Sequence, residues 1–207
     1  MPLANFINTF FKSKSSQKRV FISGTNGLTA QYGGWDQLLR NVSERLAEEF
    51  EVICHGSYKD ADPSLANKYK SKIKLFKISA NGFSSIFFDL ICLFDALKNN
   101  GLCLMIGTSG GIFFPLFKFL GLKIIVNTDG FEWKRGKWNK YAKLFLLVSD
   151  YLAINFSELV ICDSPVIQER VNSISSAKTI YIPYGADHVL RGPIETSPIL
   201  SNLEILD

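Results

Sequence analysis

A glycine-rich loop between an apolar run and an amphipathic segment constrains this chain more than any other stretch. Val20-Phe21-Ile22 reads as a buried strand. Residues 23–35, S-G-T-N-G-L-T-A-Q-Y-G-G-W, follow it, and Leu38, Leu39, Val42 and Leu46 then recur with helical spacing. Strand, glycine loop and helix in that order open an α/β domain of the kind that holds nucleotides. Gly24, Gly27, Gly33 and Gly34 can take positive φ and let a ligand approach the backbone. The Gly33-Gly34 pair stands just before the helix, where free N–H groups and the positive dipole end favour an anion. A phosphate or a sugar hydroxyl is expected there. The spacing is neither G-x-G-x-x-G nor a P-loop, and a surface loop merely turned by its glycines is the plain alternative.

Further strands and helices alternate behind this unit. Residues 35–49 read as the first helix after the loop and residues 51–54 as the second strand. Residues 58–71 are polar with an Asp62-Pro63 turn, and residues 73–78 alternate apolar with Lys74 and Lys77, as a strand near a sheet edge would. Ser84 or Ser85 is expected to cap a helix whose apolar positions are Ile86, Phe87, Leu90, Ile91, Leu93, Phe94 and Leu97, with Asp89 and Asp95 among its few polar ones. Residues 102–106, 123–126, 159–162 and 179–182 complete the strands. The expected fold class is α/β, a Rossmann-like parallel sheet with helices on both faces.

In such sheets the ligand crevice lies beyond the carboxyl ends of the strands. The polar and glycine-rich stretches cluster there: Ser23-Gly24, Gly107-Thr108-Ser109, Asn127-Thr128-Asp129-Gly130, Asp163-Ser164 and Pro183-Tyr184-Gly185.

Composition narrows the classes of function. Apolar residues make up 47% of the 207, enough for a substantial core, and the formal charge of +4 suits an anionic surface or phosphate without demanding nucleic acid. Cys54, Cys92, Cys103 and Cys162 lie in apolar runs without C-x-x-C spacing and read as buried hydrophobes in a reducing compartment. No signal peptide is visible and no apolar run reaches the ~18 residues that span a bilayer, so a cytoplasmic protein is expected. His55 and His188 have no partner spacing for a metal.

Two segments bear on the unusual count of 17 phenylalanines. Phe6, Ile7, Phe10 and Phe11 share one helical face, with Lys12, Lys14, Lys18 and Arg19 just after. That pattern fits a helix on a membrane surface, a helix packed on the domain, or a frayed terminus. Residues 112–119, I-F-F-P-L-F-K-F, are apolar nearly all round, which favours burial.

The loop sequences taken together carry a resemblance. Y-G-G-W-D (residues 32–36), N-T-D-G-F-E-W-K-R (127–135), C-D-S (162–164) and Y-G-A-D (184–187) are similar to the N-terminal domain of bacterial rhamnosyltransferase-like enzymes of glycosyltransferase family 4, which have the two-domain GT-B fold and retaining chemistry. The resemblance covers about residues 18–187. Where the family has Phe-Glu after Y-G-G, this chain has Trp35-Asp36. The family's second domain binds the nucleotide-sugar and often carries two glutamates eight positions apart; no two glutamates here have that spacing, so an acceptor-side half without its donor-side half is expected. The domain organisation expected is an N-terminal amphipathic segment (1–17), one Rossmann-like half of a GT-B fold (18–187) and a tail or interdomain linker (188–207).

The resemblance implies a catalytic-site role for Asp129, in acceptor orientation or proton handling, against the alternative of a helix-capping carboxylate. It implies substrate contacts for Gly33, Gly34, Trp35, Asp36, Ser109, Glu132, Lys134, Arg135, Ser164 and Tyr184. Solvated charge is the competing account of Lys134, and Ser164 before Pro165 also reads as a helix cap. Trp133 and Trp138 can stack on a sugar or fill core. The implied partners are a nucleotide-sugar, a lipid-linked glycan acceptor, a donor-domain polypeptide and a membrane surface, with no cofactor, no metal and no nucleic acid. The function expected is the acceptor-binding part of a sugar transferase in surface polysaccharide synthesis, inactive by itself. A non-catalytic membrane- or partner-docking protein that keeps the fold is the alternative.

Overall fold

Seven strands form one sheet in the computed structural model, which describes residues 2–11, 18–30, 34–128 and 130–185. They are β1 (Arg19–Ser23), β2 (Glu51–Ser57), β3 (Lys72–Phe76), β4 (Leu102–Ile106), β5 (Lys123–Asn127), β6 (Leu159–Cys162) and β7 (Thr179–Tyr181). Their order is β3-β2-β1-β4-β5-β6-β7, and every neighbouring pair is parallel. A fully parallel sheet must be covered on both faces, and β4 accordingly is buried at every position. The α/β, Rossmann-like class expected from the alternation is the one observed.

Strand alternation divides the core. Val20, Ile22, Cys54, Leu104, Ile106 and Ile161 turn to one face, packing with α1 (Pro2–Phe10) and α2 (Gly34–Leu46). Phe21, Ile53, Met105, Val126 and Cys162 turn to the other, against α3 (Ser84–Lys98), α4 (Phe114–Phe119), α5 (Lys140–Phe156) and α6 (Pro165–Ile174). All four cysteines are buried and unbridged. β3 is the edge strand anticipated from its lysines, and β2 runs three residues past the expected end, to Ser57.

One open alternative is decided, and two local expectations need correction. Helix α1 turns Leu3, Ala4 and Ile7 into the core, with Phe6, Phe10 and Phe11 against the same cluster, so it packs on the domain. Helix α3 starts after Phe83 with no side-chain cap; the hydroxyls of Ser84 and Ser85 donate back to the carbonyls of Asn81 and Gly82. Its inward face is Phe88, Asp89, Cys92, Leu93 and Ala96, which leaves Phe87 and Phe94 half exposed. Finally, residues 112–119 are only half core. Phe114 and Phe117 are fully buried, which stabilises the fold by about 1.5–3 kcal/mol each, whereas Phe119 is 88% exposed.

Candidate active site

The sheet's order reverses between β1 and β4, and the two glycine turns that follow these strands meet there. Gly24 has φ +91°, and a Cβ on it would lie 2.0 Å from the carbonyl oxygen of Ile106, so no larger residue fits without movement. The loop after Gly24 folds inward rather than over the surface: Thr25 through Ala30 are all buried, with Leu28 in the core. The Ser57 N–H donates to the Asn26 carbonyl, and Arg40 of α2 donates to the carbonyls of Leu28 and Ala30. Gly33 lies outside the described residues. Gly34 begins α2 without a positive φ, and a Cβ there would meet open space.

That space is a cavity of about 610 Å³ on the α2 side of the sheet, at the carboxyl ends of β4, β5 and β6. Gly34, Trp35 and Tyr184, three of the residues expected to bind substrate, line it together. The rings of Trp35 and Tyr184 meet edge to face at 6.3 Å, joining the first turn of α2 to the segment after β7. Leu38, Val42, Leu104, Ile106 and Ile161 make its floor apolar, and Gln37, Asn41, Arg45, Asn127 and Asp163 add polar groups. Asn127 is 7% exposed, and its carboxamide oxygen has no hydrogen-bond partner among the described residues. Asp36 is buried in the first turn of α2, where its charge favours the helix. Asp163 belongs to a stretch the sequence already placed at the crevice, but Gln37, Asn41 and Arg45 were missed; the helical spacing of Leu38 and Val42 already set these three on or beside one face.

The second glycine turn is clamped from behind. Ser109 donates its hydroxyl to the Asp89 carboxylate of α3 at 2.6 Å, so it faces inward rather than toward a ligand. Burial raises the Asp89 carboxyl to about 7, even though Ser109 and the Gly110 N–H stabilise its charge. From the other side the Ser149 hydroxyl of α5 donates to the carbonyls of Thr108 and Ser109 and accepts from the Ile112 N–H.

The stretch after β5 is organised on itself. The Glu132 carboxylate accepts from Trp138 Nε1 at 3.0 Å, Arg135 at 2.8 Å and Lys137 at 3.0 Å. The Lys134 ammonium sits 4.3 Å over the Phe131 ring. Trp133 stacks with the Arg170 guanidinium at 4.3 Å, and Arg170 also pairs with the buried Asp150. Glu132, Lys134 and Arg135 therefore tie this segment to itself and do not line the cavity, while Trp133 joins it through Arg170 to α6 and α5. Ser164 caps α6, its hydroxyl accepting from the Ile167 N–H. Asp129 lies outside the described residues.

One arrangement was not expected at all. Ser23 Oγ lies 2.8 Å from His55 Nδ1, and His55 Nε2 lies 3.0 Å from Asp95 Oδ2. The order Ser, His, Asp is that of a hydrolytic triad, but Ser23 and His55 are fully enclosed and no substrate reaches them. Burial holds His55 neutral, below its ordinary pKa, and its ring donates to Asp95, whose carboxyl falls to about 2 under that bond and the Lys74 ammonium. The relay ties β1, β2 and α3 together. No group of three potential metal ligands occurs among the described residues.

Solved structures share this fold at low sequence identity. Sucrose-phosphate synthase from Thermosynechococcus elongatus matches with a TM-score of 0.52 and 14% identity, over 83% of this chain and 91% of that one. HepE of Anabaena, solved in complex with UDP and glucose, matches at 0.53 and 13%, over 82% of this chain and 45% of its own. Apo UGT2 of Phytolacca americana matches at 0.52 and 8%, over 86% and 55%. The chain thus spans about half the length of the last two, and its sheet shares the fold of one Rossmann-like half of those two-domain GT-B structures. No protein of curated function matches the sequence significantly. A family model does match, over residues 17–187: the chain belongs to the family described as Domain of unknown function (DUF1972).

Proposed function

We propose that this chain is the acceptor-binding half of a retaining glycosyltransferase, of the rhamnosyltransferase-like type in glycosyltransferase family 4. In this reading a second domain holds the nucleotide-sugar, and the acceptor is a lipid-linked glycan of surface polysaccharide synthesis. The observation that carries it is the cavity flanked by Trp35 and Tyr184 at the strand carboxyl ends. Aromatic walls offer CH faces of a sugar ring a surface, and Gln37, Asn41 and Asn127 offer amides to its hydroxyls. Among the described residues its charged lining is Arg45 and Asp163, a near-neutral pair that suits hydroxyls better than a diphosphate. HepE, crystallised with UDP and glucose, supports the choice of nucleotide-sugar as donor.

In the transfer itself the acceptor hydroxyl forms a bond to the donor's anomeric carbon as the nucleoside diphosphate leaves with the bonding pair. The hydroxyl proton passes to a base. Asp129, by family resemblance, orients that hydroxyl or takes its proton. Both substrates must be held in register across two domains, so the chain alone is expected to transfer nothing.

The test is a reconstitution with radiolabelled nucleotide-sugars and membranes carrying lipid-linked glycan. Label is expected in the lipid fraction only when the chain is combined with a donor-domain polypeptide. Transfer by the chain alone, or no transfer by the combination across the donor panel, would overturn the proposal.

A further inference from the structure

Helix α5 buries Ser149, Asp150, Ala153 and Ile154, while Tyr141, Leu144, Leu147, Val148 and Tyr151 form an apolar stripe open to solvent. Its two neighbours on the same sheet face also leave large apolar side chains outside. Helix α4 exposes Leu116 and Phe119, the latter at 88%, and α3 exposes Phe87 and Phe94. The stripes adjoin: Phe94 packs edge to face on Phe117 of α4 at 4.9 Å, and α4 lies against α5. Isolated exposed apolar residues are ordinary, but large aromatic and branched side chains open along three adjacent helices are not.

Charge decides what covers this face. The three helices carry four lysines, Lys98, Lys118, Lys140 and Lys143, each at least partly exposed. Their three carboxylates all turn away: Asp89 to Ser109, Asp150 to Arg170, and Asp95 to His55 and Lys74. Glu158, just past the end of α5, stands at the border and pairs with Lys118 at 3.5 Å. An apolar surface whose outward charges are cationic matches the headgroup region of an anionic bilayer, with rings and branched chains entering the interface and ammonium groups at the phosphates.

We infer that the α3–α4–α5 face docks the protein on an anionic lipid surface. The inference deepens the proposed function, since an acceptor carried on a lipid must be met at the bilayer. It moves the lipid contact from the N-terminal helix, whose apolar face is in the core, to the opposite side of the sheet. No helix among the described residues is long and apolar enough to cross a membrane, so the contact is peripheral.

Co-sedimentation of the full chain with vesicles tests this, comparing phosphatidylcholine mixed with phosphatidylglycerol against phosphatidylcholine alone. Binding is expected to the anionic vesicles only, and to weaken with salt. Phe119→Glu and Leu144→Glu alter exposed positions, so the fold is expected to survive; each should lower affinity at least about tenfold. Lys140→Ala and Lys143→Ala should each lower it roughly fivefold. Equal binding by variants and parent overturns the inference, as does no binding to either vesicle. A dimer that Phe119→Glu disperses, without vesicle binding by the parent, would assign the face to a second copy instead. The vesicles contain no glycan, so this test fails or succeeds independently of the transfer assay.

Discussion

The indole of Trp35 and the phenol ring of Tyr184 stand edge to face across one side of the cavity, 6.3 Å between centroids. They come from opposite ends of the domain, one from the first turn of α2 and one from the segment after β7. If an acceptor sugar lies against this wall, each ring contributes about 0.5–1.5 kcal/mol of contact. Trp35→Ala or Tyr184→Ala should raise the acceptor KM of the assembled transferase about three- to tenfold and leave the donor KM alone. Gly34→Val places a branched side chain at the cavity wall, where its Cβ would meet no described atom within 4 Å, and should also raise it with the melting temperature kept. Steady-state kinetics with the donor saturating reads each effect.

The Asp89 carboxyl gives the fold a pH dependence of definite sign. Its folded pKa is raised from 3.8 to about 7, so the folded state holds a proton that the unfolded chain releases. The Asp89 contribution to stability is therefore full below about pH 4 and is lost as pH rises toward 7. Asp89→Asn removes the titration while keeping an oxygen for Ser109. The variant should gain on the parent with rising pH, by a few kcal/mol at pH 8. Urea denaturation at pH 5 and pH 8 measures the difference, and a gap that does not widen contradicts the assignment.

His55 acts in the opposite direction. Burial holds it neutral, so below its ordinary pKa of 6.5 the unfolded chain takes up a proton that the folded state resists. The contribution is complete above pH 6.5 and is lost as pH falls. His55→Gln should flatten this limb of the stability profile. It should also lower stability at pH 7.5 by about 1–3 kcal/mol, through loss of the hydrogen bonds to Ser23 and Asp95.

Gly111 tests how the second glycine turn is held. A Cβ there would lie 2.1 Å from the Ser149 carbonyl oxygen and 2.7 Å from the Ala153 methyl, so the turn and α5 approach closer than any side chain allows. Gly111→Ala should destabilise the fold by about 1–3 kcal/mol or more, read as a lower thermal midpoint.

Much of the fold was legible because parallel strands buried on both faces appear as short apolar runs, as at residues 102–106 and 159–162. The placement of the crevice followed from that alone. The face each helix turns inward was harder: α3 has apolar residues around most of its circumference, so periodicity could not choose Phe88 and Cys92 over Phe87 and Phe94. Within the candidate site, Gly34, Trp35 and Tyr184 line one cavity. Ser109, Glu132 and Ser164 instead serve internal bonds, since a polar residue after a strand braces the next turn or caps the next helix as readily as it meets a ligand. The Ser23–His55–Asp95 relay had no sequence signature. It arises from the register that pairs Ile22 with Cys54, which sets Ser23 beside His55 on the face covered by α3.

The central claim is that this chain receives the acceptor and not the donor. Protein NMR of the full chain, titrated with mono- and disaccharides and separately with UDP-glucose, addresses it most directly. The account predicts millimolar saccharide binding that shifts the Trp35 indole and Tyr184 ring signals, with no comparable response to the nucleotide-sugar. Tight binding of UDP-glucose at those same rings, with no response to any saccharide, would contradict it.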